Sequence, residues 1–242
     1  MHMGRVVVAV AVVAGLGSAC SSSSSKSSAT STTNPRALTG KDLVRRVSLH
    51  QADVKSGDLV TLIPQGDRVV GQVTLDLCGA TFASETQRQV RYQVQTATPA
   101  GTSAGIGTEA VLYASPEAAK QALDEVGAAQ ASCAPGFVDS TVPGVPPVKT
   151  TFAAAPDAKW RKQAGVDRVA QNVTISTQDG RSIHKLLVFQ VRGAMLVGLY
   201  VTPETAPKQL DSSIGSVQRL VETVAKRLAA LPAGALANAP AV

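Results

Sequence analysis

A short apolar segment that ends at Cys20 constrains this chain more than any other feature, because it decides which residues are left to fold. Arg5 is followed by an apolar run, Val6 to Leu16, and small residues precede the cysteine. A basic residue, an apolar stretch and small residues before a cleavage point are typical of an export signal. We therefore expect residues 1–19 to be a lipoprotein signal peptide. Cys20 would then carry a lipid such as palmitate at the extracytoplasmic face of the cell membrane.

Two other interpretations of this segment stay open. Lipoprotein signals usually have Leu at the position that Gly17 occupies here, so ordinary secretory cleavage after Ala19 is the first alternative. A retained transmembrane helix is the second, but a bilayer span needs about 20 apolar residues and this run is shorter. Cysteine counting favours lipidation, since Cys78 and Cys133 then remain as the only pair.

Composition divides the rest of the chain into three parts. Residues 20–40 hold the lipidated cysteine and a Ser/Thr-rich stretch, which predicts a flexible tether. Residues 232–242 are mostly small residues and proline, which predicts a flexible tail. Residues 41–231 are numerous enough to bury a core, and we expect one sensor-like α+β domain there.

The charge of the chain is basic but scattered. The net charge is +6 and aromatic residues make up only 3% of the chain. A nucleic-acid-binding surface needs a basic stripe with aromatic stacking residues, so we expect no nucleic-acid partner. The excess of cations indicates solubility and a mild attraction to anionic membrane or envelope surfaces.

Hydrophobic periodicity predicts strands followed by a helix in each half of the domain. In the first half we predict strands at 58–63 and 69–77 that form a hairpin, a strand at 90–95, a loop at 101–107, a strand at 110–114, and a helix from Pro116 to about Cys133. Ser115 is the expected N-cap of that helix. In the second half we predict an irregular connection at 134–156, strands at 168–177, 183–191 and 195–201, and a long amphipathic helix that opens at Pro207. Asp179-Gly180 predicts a turn between the first two of these strands. This order favours an α+β fold, an antiparallel β-sheet with flanking helices, which two β-β-α halves would satisfy.

Cys78 and Cys133 are expected to form a disulfide. Cys78 ends a predicted strand and Cys133 ends a predicted helix on its buried face, and an exported domain folds in an oxidising compartment. Two free buried thiols are the alternative. A metal site is not expected, because the cysteines are far apart in sequence and no His cluster accompanies them. We expect no cofactor.

Three stretches carry a resemblance to a known family. They are Leu75-Asp76-Leu77-Cys78-Gly79-Ala80, Val111-Leu112-Tyr113, and Ser115-Pro116-Glu117-Ala118-Ala119 ahead of Cys133. These stretches resemble actinobacterial sensor-type lipoproteins and the extracellular domain of the mycobacterial Ser/Thr kinase PknH. The resemblance implies an antiparallel sheet flanked by helices, a cleft, and ligand sensing rather than catalysis. The PknH domain has two disulfides, and this chain has cysteines for only one of them.

A catalytic alternative comes from the residues around Ser103. Residues 101–105 match the G-x-S-x-G pattern around Ser103, and Asp179 and His184 follow in the chain order of an α/β-hydrolase triad. The pattern needs a strand before the serine and a helix after it, and the predicted helix is missing. We expect no enzymatic activity and a structural role for His184, with a serine esterase as the alternative.

Few aromatic residues are available for ligand contact, and three of them cluster in sequence. Phe137 and Phe152 lie in the predicted connection and Trp160 follows it. Aromatic side chains suit binding surfaces, although they equally well pin an irregular segment to a core. The resulting hypothesis is a lipid-anchored extracytoplasmic binding or sensor domain for an unknown small envelope ligand or protein partner. A lipid or glycolipid carrier is the alternative.

Overall fold

An antiparallel sheet forms the centre of the part of the chain that the structure describes. The computed structural model describes residues 38–54, 57–97, 103–140, 144–155, 160–202 and 208–237, without the side chains of 103–104 and 208–216. The strands are β1 (Leu59–Leu62), β2 (Arg88–Ala97), β3 (Ser103–Tyr113), β4 (Val148–Ala154), β5 (Asp167–Thr177), β6 (Ser182–Arg192) and β7 (Met195–Val201). The helices are α1 (Gly40–Val47), α2 (Pro116–Ala131), α3 (Lys208–Ala230) and α4 (Ala233–Ala237), with 3-10 helices at Gln51–Asp53 and Ala83–Gln87. The predicted α+β class is confirmed.

The two halves of the domain occupy the two halves of the sheet. The strand order is β1-β2-β3-β7-β6-β5-β4, and every neighbouring pair is antiparallel. The first half is therefore a three-stranded meander followed by α2, and the second a four-stranded meander followed by α3. The last strands of the two halves, β3 and β7, pair at the centre, which joins both halves into one sheet.

Helices cover both faces of the sheet, and consecutive strand residues therefore enter two different cores. Along β6, Leu187 lies on one face and Val188 on the other, as the period of two requires. The first core lies under α1 and α3 and includes Leu43, Val44, Val47, Leu112, Val188, Val197, Val221, Val224 and Leu228. The second core lies under α2 and includes Leu75, Phe82, Val111, Tyr113, Ala119, Ala122, Val126, Leu187 and Phe189. Burial on both faces explains why the central strands are apolar runs.

Side-chain caps fix where two helices begin. The Ser115 hydroxyl accepts from the Ala118 N–H at 3.2 Å, with Pro116 in the first turn, as predicted. At α1 the Thr39 hydroxyl accepts from the Asp42 N–H at 3.2 Å, and the Asp42 carboxylate accepts from the Thr39 N–H at 3.0 Å. These bonds satisfy N–H groups that the first helical turn leaves without an intrahelical partner.

The predicted hairpin between 58–63 and 69–77 is wrong. β1 pairs with β2 instead. Residues 63–82 form an irregular segment, which we call the strap, across the face of the sheet that carries the second core. Leu75 and Leu77 are buried as a strand would bury them, but their backbone is held differently. The N–H groups of Thr74 and Leu75 donate to the Glu85 carboxylate at 3.0 and 3.1 Å. A side chain thus replaces the neighbouring strand as the partner of this backbone.

Three other boundaries differ from the prediction. The segment 101–107 was expected to be a loop, but β3 begins at Ser103. Gly105 has φ +78°, and a Cβ there would lie 2.0 Å from the Thr202 carbonyl oxygen, so glycine permits β7 to approach. The connection 134–156 contains β4, which pairs along its whole length with β5. Residues of the expected tail form α4, which buries Leu236 in the first core while the Leu236 carbonyl accepts from the Ala194 N–H.

An ion pair ties the start of the domain to its last long helix. Arg227 on α3 donates to both carboxylate oxygens of Asp53, at 2.7 and 2.8 Å, and to the Ser48 carbonyl at 3.0 Å. Burial disfavours the Asp53 anion, but the hydrogen bonds from Arg227 and from the His50 N–H outweigh it and lower the pKa of Asp53. The pair therefore joins the α1 region to α3 on one side of the sheet.

Candidate functional site

The disulfide predicted from the sequence is present. Cys78 and Cys133 are bonded, with a Cα–Cα distance of 5.2 Å. Neither cysteine ends the element expected for it: Cys78 lies in the strap, and Cys133 lies beyond the end of α2 at Ala131. Cys78 adopts φ +59° and Gly79 φ +64°, so the chain turns in left-handed conformations at the bond. The bond therefore fixes the strap against the carboxyl end of α2.

A buried charged centre lies under the strap. Arg91 on β2 donates to the Glu109 carboxylate on β3, and both side chains are only 3% exposed. Glu109 also accepts from the Thr74 hydroxyl at 2.8 Å and from the Tyr200 hydroxyl at 3.3 Å. Burial raises the pKa of Glu109, and the neighbouring Arg91 opposes that shift. Burial likewise raises the pKa of Tyr200, so this phenol is a neutral donor to the carboxylate.

The charged centre holds the strap by its backbone as well as by Thr74. Arg88 donates to the Gln72 carbonyl at 2.5 Å and to the Thr74 hydroxyl at 2.8 Å. Arg91 donates to the Gln65 carbonyl at 3.3 Å. Sequence reasoning missed this centre, because alternation along β2 placed Arg91 on a solvent-facing side. No local sequence pattern shows that a sheet is covered on both faces. The polar residues on both β2 and β3 are the one indirect sign of a buried polar centre.

An open groove lies on the same face, between α2 and the ends of β5 and β6. Its volume is about 710 Å³, and residues of α2 form one wall while Gly165, Asp167, Val191, Arg192 and Gly193 form the other. The α2 wall carries Glu117, Lys120, Gln121, Asp124, Glu125 and Ala128. Carboxylates thus outnumber cations in the lining.

The two cations of the groove already have partners. Lys120 donates to Asp124 at 2.7 Å in an exposed pair. Arg192 donates to the carbonyls of Leu228 and Leu231 at 2.6 and 2.7 Å, where its charge opposes the negative end of the α3 dipole. Lys120 and Asp124 offset each other, which leaves Glu117, Glu125 and Asp167 against the charge of Arg192, so the groove presents a negative potential. Such a lining favours a neutral or positively charged ligand over an anion.

Glu117 and Glu125 have different surroundings in this groove. A hydrogen bond with the Ser115 side chain lowers the pKa of Glu117, which keeps this exposed group ionised. Glu125 accepts from the N–H groups of Ala83 and Ser84 at 3.1 and 3.2 Å and from the Ser84 hydroxyl at 2.6 Å. Glu125 therefore anchors the 3-10 helix at 83–87 to α2, while Glu117 is an exposed residue of the groove lining.

The three aromatic residues singled out in the sequence do not share one surface. Trp160 is 3% exposed and lies in the first core, with the Arg168 guanidinium 5.6 Å from its ring centroid. Phe152 is partly buried against the second core, on the opposite face. Phe137 is 46% exposed. Trp160 and Phe152 therefore lie on opposite faces of the sheet, and ligand contact by any of the three side chains stays a prediction.

The residues of the esterase alternative lie in sheet elements. Ser103 begins β3 and pairs with Ala97, and its side chain is outside the described residues. His184 lies on β6, with Nδ1 3.0 Å from the Thr174 hydroxyl of β5. Asp179 lies in the β5–β6 turn, where Arg181 Nε donates to it at 2.8 Å. His184 thus has a cross-strand partner in place of the carboxylate that a triad requires.

Two further observations concern the part of the chain that the structure describes. None of its helices is long and apolar enough to cross a bilayer. No group of three or more His, Cys, Asp or Glu side chains among the described residues is arranged to hold a metal ion. Cys20, the expected signal peptide and most of the expected tether lie outside the described residues.

Comparison with known proteins gives matches among solved structures alone. No protein-family model matches the chain, and no curated protein matches it. The extracellular domain of PknH from Mycobacterium tuberculosis is similar with a TM-score of 0.48 and 10% identity, covering 77% of this chain and 94% of that one. An uncharacterised protein from Mycobacterium smegmatis, an Rv0999 ortholog, has a TM-score of 0.36 and 12% identity over 76% of this chain and 95% of its own. The resemblance to the PknH domain noted in the sequence is thus found again, and no residue role is carried over from either structure.

Proposed function

We propose that this chain is a lipid-anchored extracytoplasmic binding domain that senses a small ligand and catalyses no reaction. The observation that carries the proposal is the Cys78–Cys133 bond, which joins two separate segments and needs an oxidising compartment to form and persist. The sequence around Cys20 supports the same compartment and adds the means of attachment. Both features concern where the domain works and how it is held there.

The groove beside α2 is the proposed ligand site. It is concave and open, and its lining offers ionised Glu117 together with Asp167 and apolar Val191. Binding sites combine apolar area with a few polar groups that orient the ligand. A small molecule with a positive charge or a hydrogen-bond donor fits this lining. A lipid or glycolipid carrier would need a large apolar cavity, and the charged lining favours the binding domain over the carrier.

Metabolic labelling tests the attachment. A fatty-acid analogue should label the wild-type protein and leave Cys20→Ser unlabelled, because serine cannot form the thioether to the lipid. The two forms should separate between membrane and soluble or precursor fractions. Equal labelling of both would refute lipidation at Cys20.

Native mass spectrometry of protein purified from its own envelope tests the ligand site. Ala128 is exposed on α2 and lines the groove, so Ala128→Trp should obstruct part of the groove without disturbing the second core. A co-purifying species should be lost in Ala128→Trp and kept in the matched control Ala128→Ser. A species kept by both variants would place the site elsewhere, and an apo mass in the wild type would count against a resident small ligand.

A further inference from the structure

The helical layer over the first core has a basic outer surface. We call it the basic layer, and it comprises α1, the 3-10 helix at 51–53 and residues 217–230 of α3. Its charged residues are the cations Lys41, Arg45, Arg46, Arg219, Lys226 and Arg227 and the carboxylates Asp42, Asp53 and Glu222. Asp53 and Arg227 bind each other, so five cations remain against two carboxylates. Lys41, Arg46, Arg219 and Lys226 are exposed. This layer therefore presents a positive potential to its surroundings.

The helical layer on the opposite face has the opposite charge. The residues of α2 and of the 3-10 helix at 83–87 include the carboxylates Glu85, Glu117, Asp124 and Glu125 and the cation Lys120. Glu85 pairs with Arg88 and Asp124 pairs with Lys120, so Glu117 and Glu125 are the charges that remain. The sheet thus separates a basic layer from an acidic one. A molecule with this charge separation turns its basic side towards an anionic surface and its acidic side away.

The basic layer also begins where the expected tether ends. Leu38 is the first described residue, and α1 starts at Gly40. The chain from Cys20 to Leu38 can span at most about 65 Å even when fully extended. A lipid on Cys20 would therefore hold α1 near the membrane surface at a high effective concentration.

We propose that the basic layer rests on the anionic phospholipid surface of the membrane that holds Cys20, and that the groove beside α2 faces away from it. The proposal rests on the lipid attachment proposed above. The contact is electrostatic: among the described residues the exposed large apolar side chains are Leu59, Leu62, Val70, Phe137, Val145 and Ile183, and none lies on the basic layer. Such a contact is reversible and weakens as salt screens it.

Energy transfer from Trp160 measures this orientation without an added label on the protein. Trp160 is the only tryptophan of the chain and lies in the first core, under the basic layer. The Arg161 N–H beside it donates to Glu222 of α3 at 3.1 Å. The lipidated full chain would be reconstituted in phosphatidylcholine vesicles with a dansyl-labelled phospholipid acceptor, with and without phosphatidylglycerol. Transfer should rise with phosphatidylglycerol and fall back at about 1 M salt, where the Debye length is about 3 Å.

Neutralising exposed cations of the basic layer should abolish that rise. Each cation near an anionic bilayer favours docking by about fivefold, so Lys41→Gln, Arg46→Gln and Arg219→Gln together should lower the docking constant at least about tenfold. All three side chains are exposed, so folding should persist and circular dichroism would verify it.

A matched control has the same change in net charge. Arg68, Lys120 and Arg181 are exposed and lie outside the basic layer, and replacing all three by Gln should leave the rise unchanged. Equal loss in both triple variants, or transfer that ignores phosphatidylglycerol, would overturn the proposed orientation. Protein that fails to join neutral vesicles at all would instead overturn the lipid attachment, so the two failures are distinguishable.

Discussion

Removing Arg91 should destabilise the domain far more than removing an exposed cation. Arg91 and Glu109 are each 3% exposed, so Arg91→Met leaves the Glu109 carboxylate buried without its countercharge. Breaking a buried pair in this way costs about 3–5 kcal/mol, because the remaining ion keeps its desolvation penalty. The Gln65 carbonyl and the Gln93 amide also lose a donor. Urea unfolding followed by Trp160 fluorescence would measure the loss.

The pH dependence of this loss identifies its cause. Burial already raises the pKa of Glu109, and without Arg91 that pKa should rise further. A carboxyl whose pKa is raised in the folded state binds its proton more tightly there than in the unfolded chain. The Glu109 carboxylate therefore lowers the free energy of unfolding little below the unfolded pKa, and this destabilisation grows as pH rises through the folded pKa. The destabilisation of Arg91→Met should thus be largest at neutral pH and smaller at about pH 5.

Two controls complete the experiment. Adding Glu109→Gln to Arg91→Met removes the orphaned charge and should restore about 2 kcal/mol, since the penalty lies in the unpaired ion. Lys120→Met breaks an exposed pair and should leave unfolding unchanged. An Arg91→Met loss below about 1 kcal/mol that does not vary with pH would refute this account of the charged centre.

Three further predictions address the disulfide, a carboxylate and a close backbone approach. Cys78→Ala should lower the free energy of unfolding by about 2–4 kcal/mol. It should also leave Cys133 as a thiol that reacts with a thiol reagent in the unfolded protein. An unchanged urea midpoint would contradict this prediction. The pKa of Asp53 is lowered in the folded state, so its ion pair stabilises the fold above the unfolded pKa, and this stabilisation is lost as pH falls through the folded pKa. In Asp53→Asn the free energy of unfolding should therefore depend less on pH below about pH 4 than in the wild type. Identical acid transitions in the two proteins would count against this. Gly105→Ala should cost at least about 2 kcal/mol because its Cβ would strike the Thr202 carbonyl oxygen. Gly144→Ala is the control, because φ there is +82° and nothing lies within 4 Å of the added Cβ, so only the left-handed strain of about 1 kcal/mol remains. Equal losses of stability for the two variants in thermal melts would exclude the clash.

Where the deciding chemistry is local, the sequence alone predicted the structure. The strand 195–201, the turn at Asp179-Gly180 and the N-cap at Ser115 are found as expected. Each depends on residues within a few positions: β-branched and apolar residues in a run, a glycine that accepts φ +84°, or a hydroxyl beside a helical N–H. The pairing of Cys78 with Cys133 was also accessible, because counting left one pair once Cys20 was assigned to the lipid.

Only the tertiary structure decided which segments pair and which polar groups are buried. Residues 69–77 have the pattern of a strand, yet Glu85 takes their backbone N–H groups and β2 takes the place beside β1. β4 lies inside a proline-rich stretch that has no clear alternation, and it exists because β5 offers a free edge. Arg91 has the pattern of a solvated strand face, Glu109 precedes the predicted strand at 110–114, and the strap that covers both is distant in sequence from β3. Periodicity reports whether one face of an element differs from the other, whereas burial on both faces depends on what packs there, and that is a property of the assembled sheet.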